Sequence, residues 1–134
     1  MIKRLAHICI NTTSLPDTER FYCQGLGMTR KFDFEKDGAL FGFYLDAGGG
    51  TFIEVFTGEP GEIGNINHLA LEVDDIDESI AQLRLAGFKI GDKAFGSDDS
   101  WQAWTADPNG VRIELHQYTP DSCQLTGRTC PVTW

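Results

Sequence analysis

"AHICINTTSLPDTERFYCQGLGM" (6–28) can be set above "NHLALEVDDIDESIAQLRLAGFKI" (67–90), and the two stretches then run in step. Each opens on a histidine, His7 or His68, inside an alternating strand. A turn with a helix N-cap follows, Ser14 in the first stretch and Asp74 or Asp75 in the second. One short helix comes next. Pro16 sits in the first turn of the first helix, where its missing N–H does no harm. Ile76, Ile80 and Leu83 lay an i, i+4, i+7 apolar stripe along the second. Glycines stop both helices, Gly25 or Gly27 in one and Gly87 in the other, as C-terminal caps favour. Internal repetition of this kind governs the fold.

Three short strand signals follow each helix. They span roughly 29–35, 39–46 and 51–57 in the first half, separated by "KDG" and "AGGG". In the second half they span roughly 88–94, 101–106 and 111–118, separated by "FGSDDS" and "DPNG". "DPNG" places Pro at i+1 and Gly at i+3 of a type I turn. The expected fold is therefore α+β, a single domain over 1–134 built from two βαβββ modules with curled mixed sheets. Module 1 covers about 3–58, a Gly/Glu/Pro-rich linker 59–65, and module 2 about 66–118. Residues 119–134 match neither half and form a tail, a candidate cover for a pocket or a dimer seam. One helix covers one face of each sheet, so the two uncovered faces are expected to curl into a cup, closed within the chain or with the modules of a second chain.

Alternation decides which side chains face that cup. In "VRIELHQY" (111–118), Val111, Ile113 and Leu115 share one face and Arg112, Glu114 and His116 the other. His7 shares a face with Cys9 and Asn11, His68 with Ala70 and Glu72, and Glu54 with Phe52 and Phe56. His7 and Glu54 lie 47 residues apart, and His68 and Glu114 lie 46 apart. Each module thus offers one His on its first strand and one Glu on its last. Two imidazoles and two carboxylates meeting near a pseudo-twofold axis form a site for one divalent ion: imidazole suits Zn, Ni, Co or Fe, and carboxylate broadens this to Mn. Phe52, Phe56, Trp101 and Trp104 are candidates for an apolar pocket wall, or for plain core.

Composition narrows the classes. The chain has 134 residues and a net charge of −9. The charge is uneven: residues 1–60 carry six Lys/Arg against eight Asp/Glu, and residues 61–134 carry five against twelve. Such a balance disfavours nucleic acid and anionic membrane surfaces as partners. No long apolar stretch appears near "MIKRLAHICIN", so the expected location is the cytoplasm. Cys9, Cys23, Cys123 and Cys130 show no metal-type spacing and are read as reduced thiols. A small-molecule substrate and a homodimer are expected.

"AHICIN", "RFYCQGLGM", "FIEVF", "NHLALEV" and "DPNGVRIELHQ" together resemble the vicinal oxygen chelate superfamily. It includes glyoxalase I, methylmalonyl-CoA epimerase, extradiol dioxygenases and the fosfomycin- and bleomycin-resistance proteins. The resemblance covers about residues 3–118. It implies paired βαβββ modules around a metal, with His7, Glu54, His68 and Glu114 in the ligand positions of glyoxalase I. Where that enzyme contacts glutathione, this chain carries Asn11 and Gly58. In dioxygenases and fosfomycin-resistance proteins only His7, His68 and Glu114 would bind metal, leaving Glu54 surplus.

The activity implied is that of a metal-dependent lyase or isomerase of glyoxalase I type. It would act on a small substrate with two adjacent oxygens, through a metal-stabilised enediolate. Glu114 is the expected base and Glu54 its symmetric partner. His116 either orients Glu114 or meets the substrate. Cys9, Asn11, Phe52, Phe56, Trp101, Trp104, Arg112 and His116 are the candidate pocket residues. Alternatives are a fosfomycin-resistance-type thiol transferase, an extradiol-type dioxygenase and a metal-free drug-sequestering protein.

Overall fold

Two strand-and-helix units follow one another along the chain, Met1–Gly64 and Asn65–Trp134. The computed structural model describes residues 5, 7–61, 68–126 and 130. Most of the expected linker 59–65 and the end of the tail lie outside these described residues.

The first unit runs β1 (His7–Thr12), α1 (Leu15–Glu19), a π-helical turn (Arg20–Gly25), β2 (Thr29–Lys36), β3 (Ala39–Gly48) and β4 (Thr51–Thr57). Its sheet has the order β1-β4-β3-β2, with β1 parallel to β4 and the other pairs antiparallel. Alternation sorts the two faces as the sequence predicts. Ile10, Thr12, Phe43, Leu45, Ile53 and Val55 are buried, while His7, Cys9 and Asn11 are exposed. Ser14 caps α1, its Oγ accepting from the Asp17 N–H at 3.3 Å.

One difference from expectation lies in this helix. It widens after Glu19 into a turn closed by Leu26 N–H donating to the Phe21 carbonyl at 3.1 Å. The adjacent rings of Phe21 and Tyr22 are both fully buried. Consecutive side chains on a regular α-helix point about 100° apart. Widening the turn lets both rings enter the core.

The second unit runs β5 (Leu69–Glu72), α2 (Ile76–Leu85), β6 (Ala94–Phe95), β7 (Ser100–Ala106), β8 (Arg112–Tyr118) and α3 (Cys123–Thr126). Its sheet order is β5-β8-β7-β6, with β5 parallel to β8. Asp75 caps α2, accepting from the Glu78 N–H at 3.0 Å. The predicted stripe of Ile76, Ile80 and Leu83 is the buried face of α2, and α2 packs against β7 and β8. At "DPNG" the Asp107 carboxylate accepts from the Asn109 and Val111 N–H groups, each at 2.8 Å. Gly110 closes the turn at φ 85, a conformation that suits glycine.

The strand expected at 88–94 is corrected. Ile90 makes only an isolated bridge to Thr105, and regular pairing is confined to Ala94–Phe95. Arg84, on the last turn of α2, reaches the Ile90 carbonyl at 3.2 Å and the Asp92 carboxylate at 2.7 Å. This tie holds the segment to the helix, and the ladder stops there.

Candidate metal-binding pairs

β1 lies parallel to β4 with Cys9 opposite Glu54, so His7 stands two residues before the partner of that glutamate. The diagonal brings His7 Nε2 to 3.8 Å from Glu54 Oε2. β5 and β8 repeat the arrangement with Ala70 opposite Glu114. His68, again two residues earlier, places Nε2 at 3.4 Å from Glu114 Oε2. Two donors bound to one ion at about 2.1 Å stand about 3.0–3.4 Å apart for octahedral to tetrahedral angles. Each pair therefore has the chemistry and nearly the spacing of two ligands to a divalent ion. Among the described residues no group of three or more His, Cys, Asp or Glu side chains is gathered tightly enough to hold a metal. Each unit brings together one imidazole and one carboxylate.

The surroundings of the two pairs differ. Around His7 and Glu54 the sheet face is aromatic. Tyr44, opposite Glu54 on β3, meets the His7 ring at 5.8 Å and stacks between Phe32 at 4.6 Å and Phe52 at 5.1 Å. Phe56 packs against Phe34 and Phe41. A Cβ at Gly42 would strike the Val55 carbonyl and the Phe56 ring, so only glycine lets that ring lie down. Cys9 stands directly opposite Glu54 across the β1–β4 ladder. Partial desolvation, then the Glu54 carboxylate, push this thiol's pKa up and keep it protonated. Asn11 is on the same face, and Gly58 lies beside it.

Around His68 and Glu114 the support is polar. Trp104, opposite Glu114 on β7, meets the His68 ring edge-on at 4.9 Å, and the Arg112 guanidinium covers the indole at 5.0 Å. Glu114 and His116 are only 7% and 8% exposed. Trp101 does not share this face. It pairs with Gln117 on the side that carries Ala103, Ile113 and Leu115, with Phe95 and Lys93 against its ring. One step of strand alternation separates it from Trp104, so the reading of Trp101 as a pocket wall is corrected.

His116 is held from behind by groups that the sequence reading did not single out. Its Nε2 lies 3.2 Å from Asp98 Oδ2 and hydrogen-bonds Ser100 Oγ. Ser100 Oγ donates to Asp98 Oδ2 at 2.7 Å. Burial alone would raise the Asp98 pKa. Hydrogen bonds from Ser100 and Gln124, with the charge of His116, outweigh it and bring the carboxyl to about 2. Serine, histidine and aspartate do not form a nucleophilic triad here. Ser100 is wholly buried, and its hydroxyl and the carboxylate approach the same ring nitrogen. Tyr44, Asp98 and Ser100 are the residues missed. Alternation along "FGFYLD" would have placed Tyr44 on the face of Gly42 and Asp46, but its partner across the sheet depends on the register of β3 with β4.

Two βαβββ units with open, mixed four-stranded sheets make this an α+β protein of a well-populated fold. The chain belongs to the Glyoxalase/Bleomycin resistance protein/Dioxygenase superfamily, whose family model matches residues 4–115. Among solved structures it is similar to a glyoxalase family protein from Enterococcus faecalis. That match has 25% identity and a TM-score of 0.70, and covers 85% of this chain and 97% of the other. It is also similar to a lactoylglutathione lyase from Agrobacterium tumefaciens, at 14% identity and a TM-score of 0.66, covering 87% and 94%. A third likeness is an integron cassette protein from the mobile metagenome of V. cholerae, at 22% identity and a TM-score of 0.67, covering 89% and 98%. Comparison with curated proteins gives no match. No helix among the described residues is long and apolar enough to cross a membrane.

Proposed function

We propose that the chain is a divalent-metal-dependent lyase or isomerase of glyoxalase I type, acting on a small substrate with two adjacent oxygens. One observation carries this reading: the two His–Glu pairs occupy the same diagonal register in two repeated units. In this reading His7, Glu54, His68 and Glu114 are the ligands of one ion, drawn from one chain or from two. When bound, a divalent ion of the Ni, Zn, Co or Mn kind supplies Lewis-acid stabilisation of negative charge on neighbouring substrate oxygens.

The chain's own residues do the rest. Glu114 accepts the proton of the substrate carbon that bears a hydroxyl beside a carbonyl and returns it to the carbonyl carbon, while the hydroxyl proton passes to the former carbonyl oxygen, so the reaction is an isomerisation with no net redox change. Its burial excludes water from the carboxylate during the transfer. Glu54 is the symmetric partner. Cys9, Asn11, Phe52 and Phe56 from one unit and Trp104, Arg112 and His116 from the other are the groups available to line the substrate. In this reading the working molecule is a cytoplasmic homodimer that takes a small molecule as its partner, and the chain is one domain.

Metal content tests the proposal. Untagged protein is incubated with Ni, Zn, Co, Mn or Fe salts, desalted, and compared with His68→Ala. About one ion per chain, lost in the variant, is expected if all four donors share one ion. Wild-type protein that holds none of these ions overturns the metalloenzyme reading. The stacked rings of Phe32, Tyr44 and Phe52 would then favour a second reading, a metal-free protein that sequesters a flat apolar ligand.

A further inference from the structure

We propose that Gln124 and Asp98 are positioning residues for Glu114, acting through His116, so that the C-terminal tail helps set the geometry of the second His–Glu pair. The inference rests on the metal reading above. It begins with the loop between β6 and β7, which turns the Asp98 side chain inward. Asp99 adopts φ 58, an uncommon value for a residue with a side chain. A Cβ on Gly96 would come within 2.5 Å of both Asp98 Oδ1 and Gln102 Nε2. Glycine at 96 therefore makes room for the aspartate.

The Asp98 carboxylate is nearly saturated with donors. Oδ2 accepts from Gln124 Nε2 at 2.6 Å and Ser100 Oγ at 2.7 Å, with His116 Nε2 at 3.2 Å. Oδ1 accepts from the Ser100 N–H at 3.3 Å and Gln102 Nε2 at 3.5 Å. The tail fastens this loop from outside. The Cys123 N–H donates to the Asp98 carbonyl at 2.9 Å, and Thr119 Oγ1 donates to the Asp99 carbonyl at 2.6 Å. With its Nε2 edge held by Asp98 and Ser100, and Tyr118 tilted against it at 5.0 Å, the imidazole turns Nδ1 toward Glu114 Oε2 at 3.8 Å.

Glu114 Oε2 is thus flanked by two rings, His68 at 3.4 Å and His116 at 3.8 Å. In this packed setting the carboxylate has little room to turn from His68 while His116 stays in place. The chain from tail to ligand runs Gln124, Asp98, His116, Glu114. The first unit has no counterpart, because the residue two places beyond Glu54 is Phe56. Partners one step behind a metal ligand typically govern affinity by about 10–100-fold.

The test uses full-length protein and Co(II), whose affinity is read by competition with a chromophoric chelator and whose coordination is read from its visible absorption band. Asp98→Asn, two steps from the ligand, is expected to weaken binding by up to about tenfold and Gln124→Leu about threefold, both with an altered band. Gln124→Lys, which restores a donor to Asp98, is expected to return affinity to within about twofold of the wild type. Thermal midpoints of the same variants check folding, and Gln124 is exposed, so Gln124→Leu decides if Asp98→Asn does not fold. A purely structural role lowers the midpoint and leaves affinity and band unchanged; that result overturns the proposal while the metal reading stands. Wild-type protein that binds no Co(II) overturns both.

Discussion

The two His–Glu pairs share a register and differ in what stands behind them. His7 and Glu54 sit among aromatic rings on a face that is largely accessible, their side chains 43% and 19% exposed. His68 and Glu114 are more enclosed, the Glu114 side chain only 9% exposed, and a hydrogen-bonded cluster backs them. The two modules therefore hold the same pair of groups by different means. Rings exclude water and offer flat area, but they impose little direction on a carboxylate. A polar cluster imposes direction, at the cost of burying charge that must stay paired. The second pair is the better oriented, and the first offers the better surface for an apolar part of a ligand.

The largest effect that would break this comparison is on metal affinity. Removing a ligand should cost more than removing its supporting partner, so Glu114→Gln is expected to weaken a bound divalent ion by more than about 100-fold. Glu54→Gln, at the less enclosed site, is expected to cost only about 10-fold. Titration calorimetry with Zn(II) on both variants checks the ratio. Equal losses would show that the enclosure of Glu114 adds nothing to its hold on the ion.

A swap sharpens the comparison further. His116→Phe gives the second unit the residue that stands two places beyond the glutamate in the first. It leaves the Asp98 carboxylate without its imidazole partner in a half-buried setting, which should destabilise the fold by about 1–3 kcal/mol. Gly42→Ala probes the other unit. Its Cβ would strike the Val55 backbone carbonyl as well as the Phe56 ring, so the sheet itself must shift and the cost should be about 3 kcal/mol or more. Denaturant unfolding measures both. Because the substituted residues lie in different units, the double variant is expected to show the sum of the two losses.

Much of this asymmetry was hidden in the sequence, and the reasons are physical. Period-two alternation was enough to place His7, His68, Glu54 and Glu114 on the faces opposite Ile10, Leu71, Ile53 and Leu115. Caps were legible too, since Ser14 and Asp75 act through their own neighbours. What depends on long-range register was not. Tyr44 reaches His7 only because β3 aligns it with Glu54. "GSDDS" reads as a solvated loop. Only the left-handed turn at Asp99 and the arrival of Gln124 from 26 residues away give Asp98 its inward role. The strand expected at 88–94 was lost to a side chain on the preceding helix, an interaction with no local signature.

The smallest effect concerns acid stability, and it falls on one unit only. The Asp98 carboxyl has a pKa of about 2 in the folded chain, against an ordinary value of 3.8. A carboxylate whose folded pKa is depressed adds stability that is fully present above its unfolded value. That stability is lost as pH falls toward the folded one. The contribution is on the order of 1 kcal/mol once discounted for solvent screening. It should therefore be intact at pH 5 and decline between about pH 4 and pH 2. Asp98→Asn is expected to flatten that part of the stability curve, with the residual slope coming from other carboxylates. Hydrogen exchange, followed amide by amide over the same range, locates the effect. Exchange in β7 and β8 should quicken as Asp98 is protonated, and the amides of β3 and β4 should follow a curve that the substitution leaves unchanged. A loss of protection shared by both sheets would show that the cluster around His116 supports the first unit as much as the second.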